Sequence, residues 1–232
     1  MLAGTVVRTV RKHDVAVVSI DAADLAPVEW STAGEPTIGS ALALAAADAT
    51  PTLGFISHEP FAFPAEPGHL SATLRETDDG LQVEKLLEMP SDSIFMAIPA
   101  STLRHGDIVL TMDGHPLSNL ESCRKYLDVN AGDPAAVSGD SVRLVVRRND
   151  EKIELHEVLG PPTFPRLAGQ TPRSTGFSRV LSVDTNATTE VCGGPLIDRN
   201  GKAVGIVIAW RKSGWILSLP ADVAKSITSK AD

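Results

Sequence analysis

The run Val191-Cys192-Gly193-Gly194-Pro195-Leu196 decides how this sequence is interpreted. Two adjacent glycines after a cysteine permit a tight turn, because glycine adopts backbone conformations that other residues avoid. The amides of such a turn, including the cysteine's own, can point at a developing oxyanion while the thiolate acts as nucleophile. The alternative interpretation is an ordinary turn before a strand. The residues on either side of the run decide between the two.

The residues after the run predict strands and a helix in a fixed order. Residues 196–207 are typical of two strands joined by an Asn-Gly turn. Residues 214–220 predict a further strand, and residues 221–227 predict a C-terminal helix. Residues 41–49, which are rich in alanine, fit either a helical turn or a strand.

These segments resemble the HtrA-like branch of the trypsin-fold proteases, with cysteine where serine usually stands. Residues 13–20 resemble the segment that carries the orienting carboxylate of the catalytic triad. Residues 41–49 and 53–57 resemble the first strands of the second barrel of these enzymes. The resemblance implies catalytic roles for Cys192 and Asp14, and oxyanion roles for Gly193 and Gly194.

The triad lacks an identifiable histidine. In the family this histidine lies in the first barrel, and only thirteen residues precede Asp14, so we expect that the first barrel is missing. His13 is a poor substitute, because neighbouring residues of a strand point to opposite faces. Glu190 stands two positions before Cys192, where the family has glycine, and its charge disfavours a developing oxyanion. The other five histidines are expected to have surface or structural roles.

A second group of elements lies between the protease-like segments. Residues 103–117, LRHGDIVLTMDGHPL, predict a turn at Gly106-Asp107, a buried strand at 108–112 and a hairpin turn at Asp113-Gly114. Residues 119–127 predict a short helix, capped by Ser118 or Asn119. Residues 142–148 and 152–158 then predict two strands joined by a turn at Asn149-Asp150.

This second group resembles a bacterial-type PDZ domain. Such a domain binds an extended peptide as an added strand, and a loop of backbone amides captures the terminal carboxylate. The resemblance implies that the peptide lies along residues 71–74 and that Ser71 replaces a glycine of the family's loop. Residues 88–102 are expected to add a turn or helix over the groove, and residues 130–139 a surface loop. The implied peptide-binding residues are Gly68, His69, Leu70 and Ser71 of the loop, and Leu120, Cys123 and Leu127 on one helix face.

The predicted fold is mainly β. It is a partial trypsin-like β-barrel, equivalent to the second barrel, with an inserted PDZ-like α+β domain. Residues 1–66 form the N-terminal piece of the barrel, and residues 67–160 form the PDZ-like domain. Residues 161–232 form a linker and the C-terminal piece of the barrel.

Composition excludes several function classes. The net charge of −8 argues against nucleic-acid binding by charge. No apolar run approaches the length of a membrane span, and no pattern predicts a metal site or a cofactor. The two cysteines are not expected to pair. No signal peptide is visible, although members of the resembled family are often exported or periplasmic, so the compartment stays open.

Three functions remain open at this point. The first is a PDZ-containing protease homologue, inactive as this chain, that binds peptide C-termini or extended segments of proteins. The second is an active endopeptidase with Cys192 as nucleophile and a histidine supplied from outside the chain. The third is a non-enzymatic scaffold or adaptor. All three imply a protein or peptide partner, and a homo-oligomer is left open.

Overall fold

The structure of the protein is a computed structural model. It describes residues 3–23, 25–46, 49–87, 101–128, 136–160, 171, 173–211 and 214–229. The additional segment predicted at 88–102 lies largely outside these residues, as does most of the loop predicted at 130–139.

The chain is built mainly from β-strands, in two compact units. Met1–Pro64 and Gly169–Asp232 form unit 1, and Ala65–Ala168 form unit 2, which interrupts unit 1 in sequence. The described strands and helices are β1 (Gly4–Val10), β2 (Val15–Ile20), β3 (Ala41–Ala46), β4 (Ala49–Phe63), β5 (Ala72–Thr77), β6 (Gly80–Leu86), β7 (Ile108–Met112), β8 (His115–Pro116), α1 (Leu120–Leu127), β9 (Ser141–Arg148), β10 (Glu151–Val158), β11 (Phe177–Thr185), β12 (Pro195–Ile197), β13 (Ala203–Arg211), β14 (Trp215–Pro220) and α2 (Ala221–Thr228).

Unit 1 is organised around a closed barrel with the strand order β11-β14-β13-β12-β3-β4, in which β4 closes onto β11. Strand β3 shows why these residues form a barrel wall. Its sequence alternates alanine with leucine, and both Leu42 and Leu44 are buried inside while the alanines between them face outward or half outward. This period of two is that of a strand with one face in the core. Burial of each leucine contributes roughly 1.5–3 kcal/mol.

A two-stranded hairpin, β1-β2, belongs to unit 1 but lies outside the barrel sheet. Its base packs on the unit's core through Val10, Val15 and Val17. The chain reverses at the 3-10 turn Arg11–His13, which ends at Asp14 with a left-handed φ of 53°. The prediction that His13 and Asp14 are neighbouring strand residues is therefore wrong, because both belong to this turn and the strand begins only at Val15.

Unit 2 is an open antiparallel sheet with one described helix. The strand order is β10-β9-β7-β6-β5, with β8 paired to β7. The predicted hairpin turns at Asp113-Gly114 and Asn149-Asp150 are confirmed, and all four residues have positive φ, as two-residue hairpin turns require. The buried sheet face forms a continuous core with Leu81, Val83, Met112, Leu144 and Val146.

Helix α1 begins with a reciprocal cap. The Asn119 side chain accepts the Ser122 amide at 2.8 Å, and the Ser122 hydroxyl accepts the Asn119 amide at 3.2 Å. Such a capping box satisfies two of the amides that a helix start leaves without partners. Of the two predicted caps, Asn119 is therefore the one used. The described residues confirm the predicted fold class in its main terms: a mainly β protein with a closed barrel and an α+β unit.

Candidate functional site

A 3-10 turn, Thr189–Val191, leads into the Cys-Gly-Gly run. Gly193 has a φ of 87°, in the left-handed region that glycine adopts readily and other residues avoid. Gly194 lies so close to β3 that a side chain there would collide with the carbonyl oxygen of Ala45. The local backbone therefore requires both glycines, one for its conformation and the other for close packing.

All three amides predicted to face an oxyanion donate to carbonyl oxygens of unit 1. The bonds run from Cys192 to Thr189 at 3.0 Å, from Gly193 to Val207 at 2.8 Å and from Gly194 to Val191 at 3.0 Å. An oxyanion hole needs N–H groups aimed at the position where negative charge develops. The amides of Gly193 and Gly194 close the turn and join it to β13, and their oxyanion role stays a prediction.

The surroundings of the Cys192 thiol act against its ionisation. It is half-buried and packs against the barrel core. Burial raises the pKa of this thiol to about 11, the negative charge of Asp14 adds to the rise, and a hydrogen bond from the Trp210 backbone opposes it. Because the thiolate is the nucleophilic form of cysteine, a thiol with this pKa is almost entirely protonated at neutral pH.

Asp14 and Cys192, the two predicted catalytic residues, lie close enough for the charge of one to act on the other. The Asp14 amide donates to the Arg11 carbonyl at 3.0 Å, which fixes the turn that carries the carboxylate. In a catalytic triad the carboxylate orients a histidine, and that histidine takes the proton from the nucleophile. Here the carboxylate acts on the thiol itself and disfavours its ionisation.

His13, beside Asp14, does not supply the missing base. Its ring is buried, with 8 % exposed, and its Nδ1 has no hydrogen-bond partner among the described residues. Burial lowers the pKa of the ring, and the charges of Lys12 and Arg173 lower it further. Arg173 also donates to the backbone carbonyls of Arg11, Lys12 and Gly176, so this buried guanidinium holds the turn in place.

A cluster that the sequence did not indicate lies where β4 pairs with β11. The hydroxyls of Ser57 and Ser182 are 2.7 Å apart, and His58 Nδ1 is 3.1 Å from the first and 3.3 Å from the second. The Trp215 indole donates to the Ser182 hydroxyl. Ser182 is fully buried, which closes it to a substrate. The cluster depends on a strand register with several irregularities around Ser182, and no local sequence signal gives that register.

In unit 2, the predicted carboxylate-binding loop is tied to neighbouring segments. The Gly68 amide donates to the Ala136 carbonyl at 3.2 Å. His69 and Gly160 exchange both of their backbone hydrogen bonds, at 2.9 and 2.8 Å. Leu70 and Ser71 are buried, and the Ser71 carbonyl accepts the Leu87 amide at 2.9 Å. Two of the four predicted loop amides, those of Gly68 and His69, therefore have acceptors inside the unit, and the carboxylate-binding role of the loop stays a prediction.

The three residues predicted on one face of α1 differ in how far they are buried. Leu120 and Leu127 are half-buried and pack at the margin of the unit's core, next to Leu74 of β5. Cys123 is 6 % exposed and lies within the core, and burial raises the pKa of its thiol. The peptide contacts at Leu120, Cys123 and Leu127 stay predictions: the Cys123 side chain lies within the core, whereas the two leucines keep part of their surface exposed.

The end of β5 is fastened to the start of α1. The Glu76 carboxylate accepts the Leu120 amide at 2.8 Å, so the strand and the helix are held side by side. A carboxylate at a helix N-terminus is favourable because the amides there have no partner within the helix. This bond fixes one end of the surface between β5 and α1, which we call the β5 groove and define by Leu70, Ala72, Leu74, Leu120 and Leu127.

Three further properties of the described residues bear on function. They contain no group of three or more histidine, cysteine, aspartate or glutamate side chains that could hold a metal ion. None of their helices is both long enough and apolar enough to cross a membrane. Unit 1 also has an open cleft of about 540 Å³ between residues 31–42 and 198–204, lined by neutral side chains together with the acidic Glu35 and Asp198 and the basic Arg199.

Comparison with known proteins gives similarity to solved structures only. No protein-family model and no curated protein matches the chain. The serine endoprotease from Yersinia pestis is 16 % identical, with a TM-score of 0.30, over 70 % of this chain and 76 % of that one. The HtrA-type protease AlgW, solved with a decapeptide, is 15 % identical, with a TM-score of 0.33, over 70 % of this chain and 72 % of that one.

Proposed function

We propose that this protein is a non-catalytic homologue of the HtrA-like, trypsin-fold proteases, and that it binds extended segments of other proteins at the β5 groove of a PDZ-like unit. The observation that carries this proposal is the position of β5 at the edge of its sheet. Among the described strands β5 pairs with β6 alone, and its other side lies beside α1.

An edge strand offers backbone groups to a second chain. The unpaired N–H and C=O groups of an edge can form a further ladder with an extended peptide, and the side chains beside it then give specificity. Strand β5 is six residues long and regular apart from one irregularity between Thr73 and Leu74. Its length is enough for a ladder with a short peptide.

The apolar side chains of the β5 groove are proposed to select which peptides bind. Leu74, Leu120 and Leu127 keep part of their surface exposed while packing on the unit's core. An apolar side chain of the peptide that covers them gains roughly 25 cal/mol for each Å² removed from water. The groove therefore favours peptides with an aliphatic residue at one or two alternate positions.

The hydrogen bonds and the burial of Cys192 support the proposal that the protein is non-catalytic. Its turn amides donate to carbonyls, its thiol has a raised pKa, and burial and Asp14 both act against ionisation. A protease needs the opposite arrangement, with donors aimed at the oxyanion and a base beside the nucleophile. Cleavage by this chain alone is therefore not expected.

One observation favours a second candidate, an endopeptidase with Cys192 as nucleophile. Asp14 lies within electrostatic reach of Cys192, which is where a triad carboxylate would be needed once a histidine from another chain stands between them. Incubation with a reduced, carboxymethylated protein separates the two candidates. Fragments that appear with the unaltered protein and disappear with Cys192→Ala would favour the endopeptidase.

The binding proposal is tested with a matched pair of variants. Leu74 on β5 and Leu155 on β10 are both half-buried leucines that pack on the same core, at opposite edges of one sheet. Replacement of either by alanine is expected to cost about 2 kcal/mol of unfolding free energy. Only Leu74→Ala is expected to weaken binding of peptides selected from a random displayed library, by about tenfold in Kd.

The measurement is fluorescence anisotropy with labelled peptides, and the stability of each variant is followed by urea unfolding. Equal loss of binding in the two variants would mean that reduced stability causes the loss. This result would contradict the β5 groove as the binding site. A library that yields no peptide dependent on Leu74 would contradict the binding function itself.

A further inference from the structure

We infer that the β5 groove takes a segment whose chain continues beyond the groove at both ends, rather than a free C-terminus. This inference rests on the proposed function and specifies its ligand class. It follows from the state of residues 68–71, at the end of the groove where a terminal carboxylate would have to be held.

The amides of Gly68 and His69 already donate to carbonyls of the protein. A carboxylate loop works because several N–H groups have no acceptor within the protein and converge on one anion. Here the Gly68 amide donates to Ala136 and the His69 amide to Gly160. Release of either amide would leave a backbone carbonyl without its partner, at a cost of about 1–3 kcal/mol in a buried setting.

The second step is the backbone conformation. Successive amides converge into an anion-binding concavity when residues of right-handed and left-handed conformation alternate. None of the residues from Gly68 to Ser71 has a positive φ. The segment instead behaves as an extra piece of strand, with bridges from Pro67 to Val137 and from His69 to Gly160. The amides of Leu70 and Ser71 therefore lack the conformation that would make them converge.

The third step is packing. Gly68 is buried, and a side chain at this position would come within 2.8 Å of Leu159 Cβ and 3.1 Å of the Ala136 carbonyl oxygen. The glycine is thus explained by close contact with Leu159 and does not need a ligand to account for it. Because this space is filled, the loop cannot rearrange around an anion without displacing the core of unit 2.

The fourth step is charge. The described residues that hydrogen-bond to the backbone of residues 68–71 are Leu87, Ala136 and Gly160, and none of them is basic. A free carboxylate at this end would therefore find no cation among these partners, whereas a peptide bond that continues the chain carries no net charge and needs none.

The strand itself does not require a terminus. A ladder with β5 uses backbone groups along the whole segment, so a peptide in the middle of a chain can form it as well as a terminal one. The contact between Glu76 and Leu120 holds α1 beside β5 independently of any ligand. The affinity then comes from the ladder and from the apolar side chains, and both are available to an internal segment.

The test compares two displayed random peptide libraries against the full chain. In one library the peptide is fused at both ends, and in the other it has a free C-terminus. Binders that depend on Leu74 are then synthesised as the free acid and as the C-terminal amide, and the Kd of each is measured by anisotropy. Leu155→Ala serves as the control for stability, as above.

The expected result is enrichment from the library fused at both ends, with acid and amide forms that agree in Kd within about twofold. A preference for the free acid of about tenfold or more, the scale of a charge-assisted hydrogen bond, would overturn this inference and leave the proposed function standing. If neither library yields a binder that depends on Leu74, the proposed function is overturned, and the inference with it.

Discussion

The two units use their backbone hydrogen-bonding groups in different ways. In the barrel of unit 1 every strand has a neighbour on each side. The amides of the Cys-Gly-Gly turn also donate hydrogen bonds to backbone carbonyls. In unit 2 the described sheet is open, with β5 and β10 at its edges. The amides of the nucleophile-like turn thus have acceptors within unit 1, while β5 keeps one edge without a described partner strand.

The glycines of the two units are explained either by close packing or by a positive φ. Gly194 in unit 1 and Gly68 in unit 2 both stand in sequences that resemble ligand-binding loops, and both are held by close packing. Gly193 differs from both, because no atom lies within 4 Å of the position that a Cβ would take. Only its positive φ favours glycine there. Substitutions at these three positions put the comparison to the test.

The largest effect is expected for Gly194→Ala. A methyl group there collides with the Ala45 carbonyl of β3, so the turn and the barrel strand must move apart, at a cost on the order of 3 kcal/mol. Gly193→Ala is the control and should cost only about 1–2 kcal/mol, because the strain is conformational. Urea unfolding followed by tryptophan fluorescence measures both. Equal costs, or a larger cost for Gly193→Ala, would mean that the turn is not packed against β3 as described.

A smaller effect is expected for Gly68→Ala. The new methyl group meets the side chain of Leu159, part of which can turn aside, so the cost should be about 2 kcal/mol. The ratio of Kd values for acid and amide peptides should not change, because we infer that the loop does not hold a carboxylate. A variant of unaltered stability that loses binding of the free acid alone would contradict this role for Gly68.

The sequence predicted the parts of this fold that depend on neighbouring residues. The hairpin turns at Asp113-Gly114 and Asn149-Asp150 are local patterns, and the structure has both. Residues 41–49 fitted either a helical turn or a strand, and Ser118 or Asn119 could have capped α1; the structure has strand β3 and the Asn119 cap. The turn at Asp14 was missed because the apolar run that follows it is typical of a strand, and nothing marks where the strand begins.

The predicted sites were less accessible to sequence reasoning. Whether an amide is available depends on which carbonyl lies opposite, and those partners are distant in sequence: Val207 for Gly193, Ala136 for Gly68 and Gly160 for His69. The burial of Cys123 depends in the same way on how α1 sits against the sheet. A motif gives residue types and spacing, but it does not give the hydrogen bonds that tertiary structure imposes.

The smallest effect is expected for Asp14→Asn. Removal of the negative charge should lower the pKa of the Cys192 thiol and raise its alkylation rate at pH 8 by roughly threefold, the scale of one partly screened charge. The Cys123→Ser background confines the reaction to Cys192. Glu190→Gln is the matched control, since this exposed carboxylate lies two residues from Cys192 but does not shift its pKa. An equal increase in both variants would show that net charge, and not the position of Asp14, controls the thiol.

We propose that Cys192 does not act as a nucleophile in this chain, and the pH profile of its thiol tests this proposal most directly. The rate of alkylation by iodoacetamide is measured against pH in the Cys123→Ser variant of the full chain. The structure predicts an apparent pKa of about 11, well above the ordinary cysteine value of about 8.5. An apparent pKa below 8.5 would contradict the account, because it would require a base or an oxyanion-type field acting on the thiol.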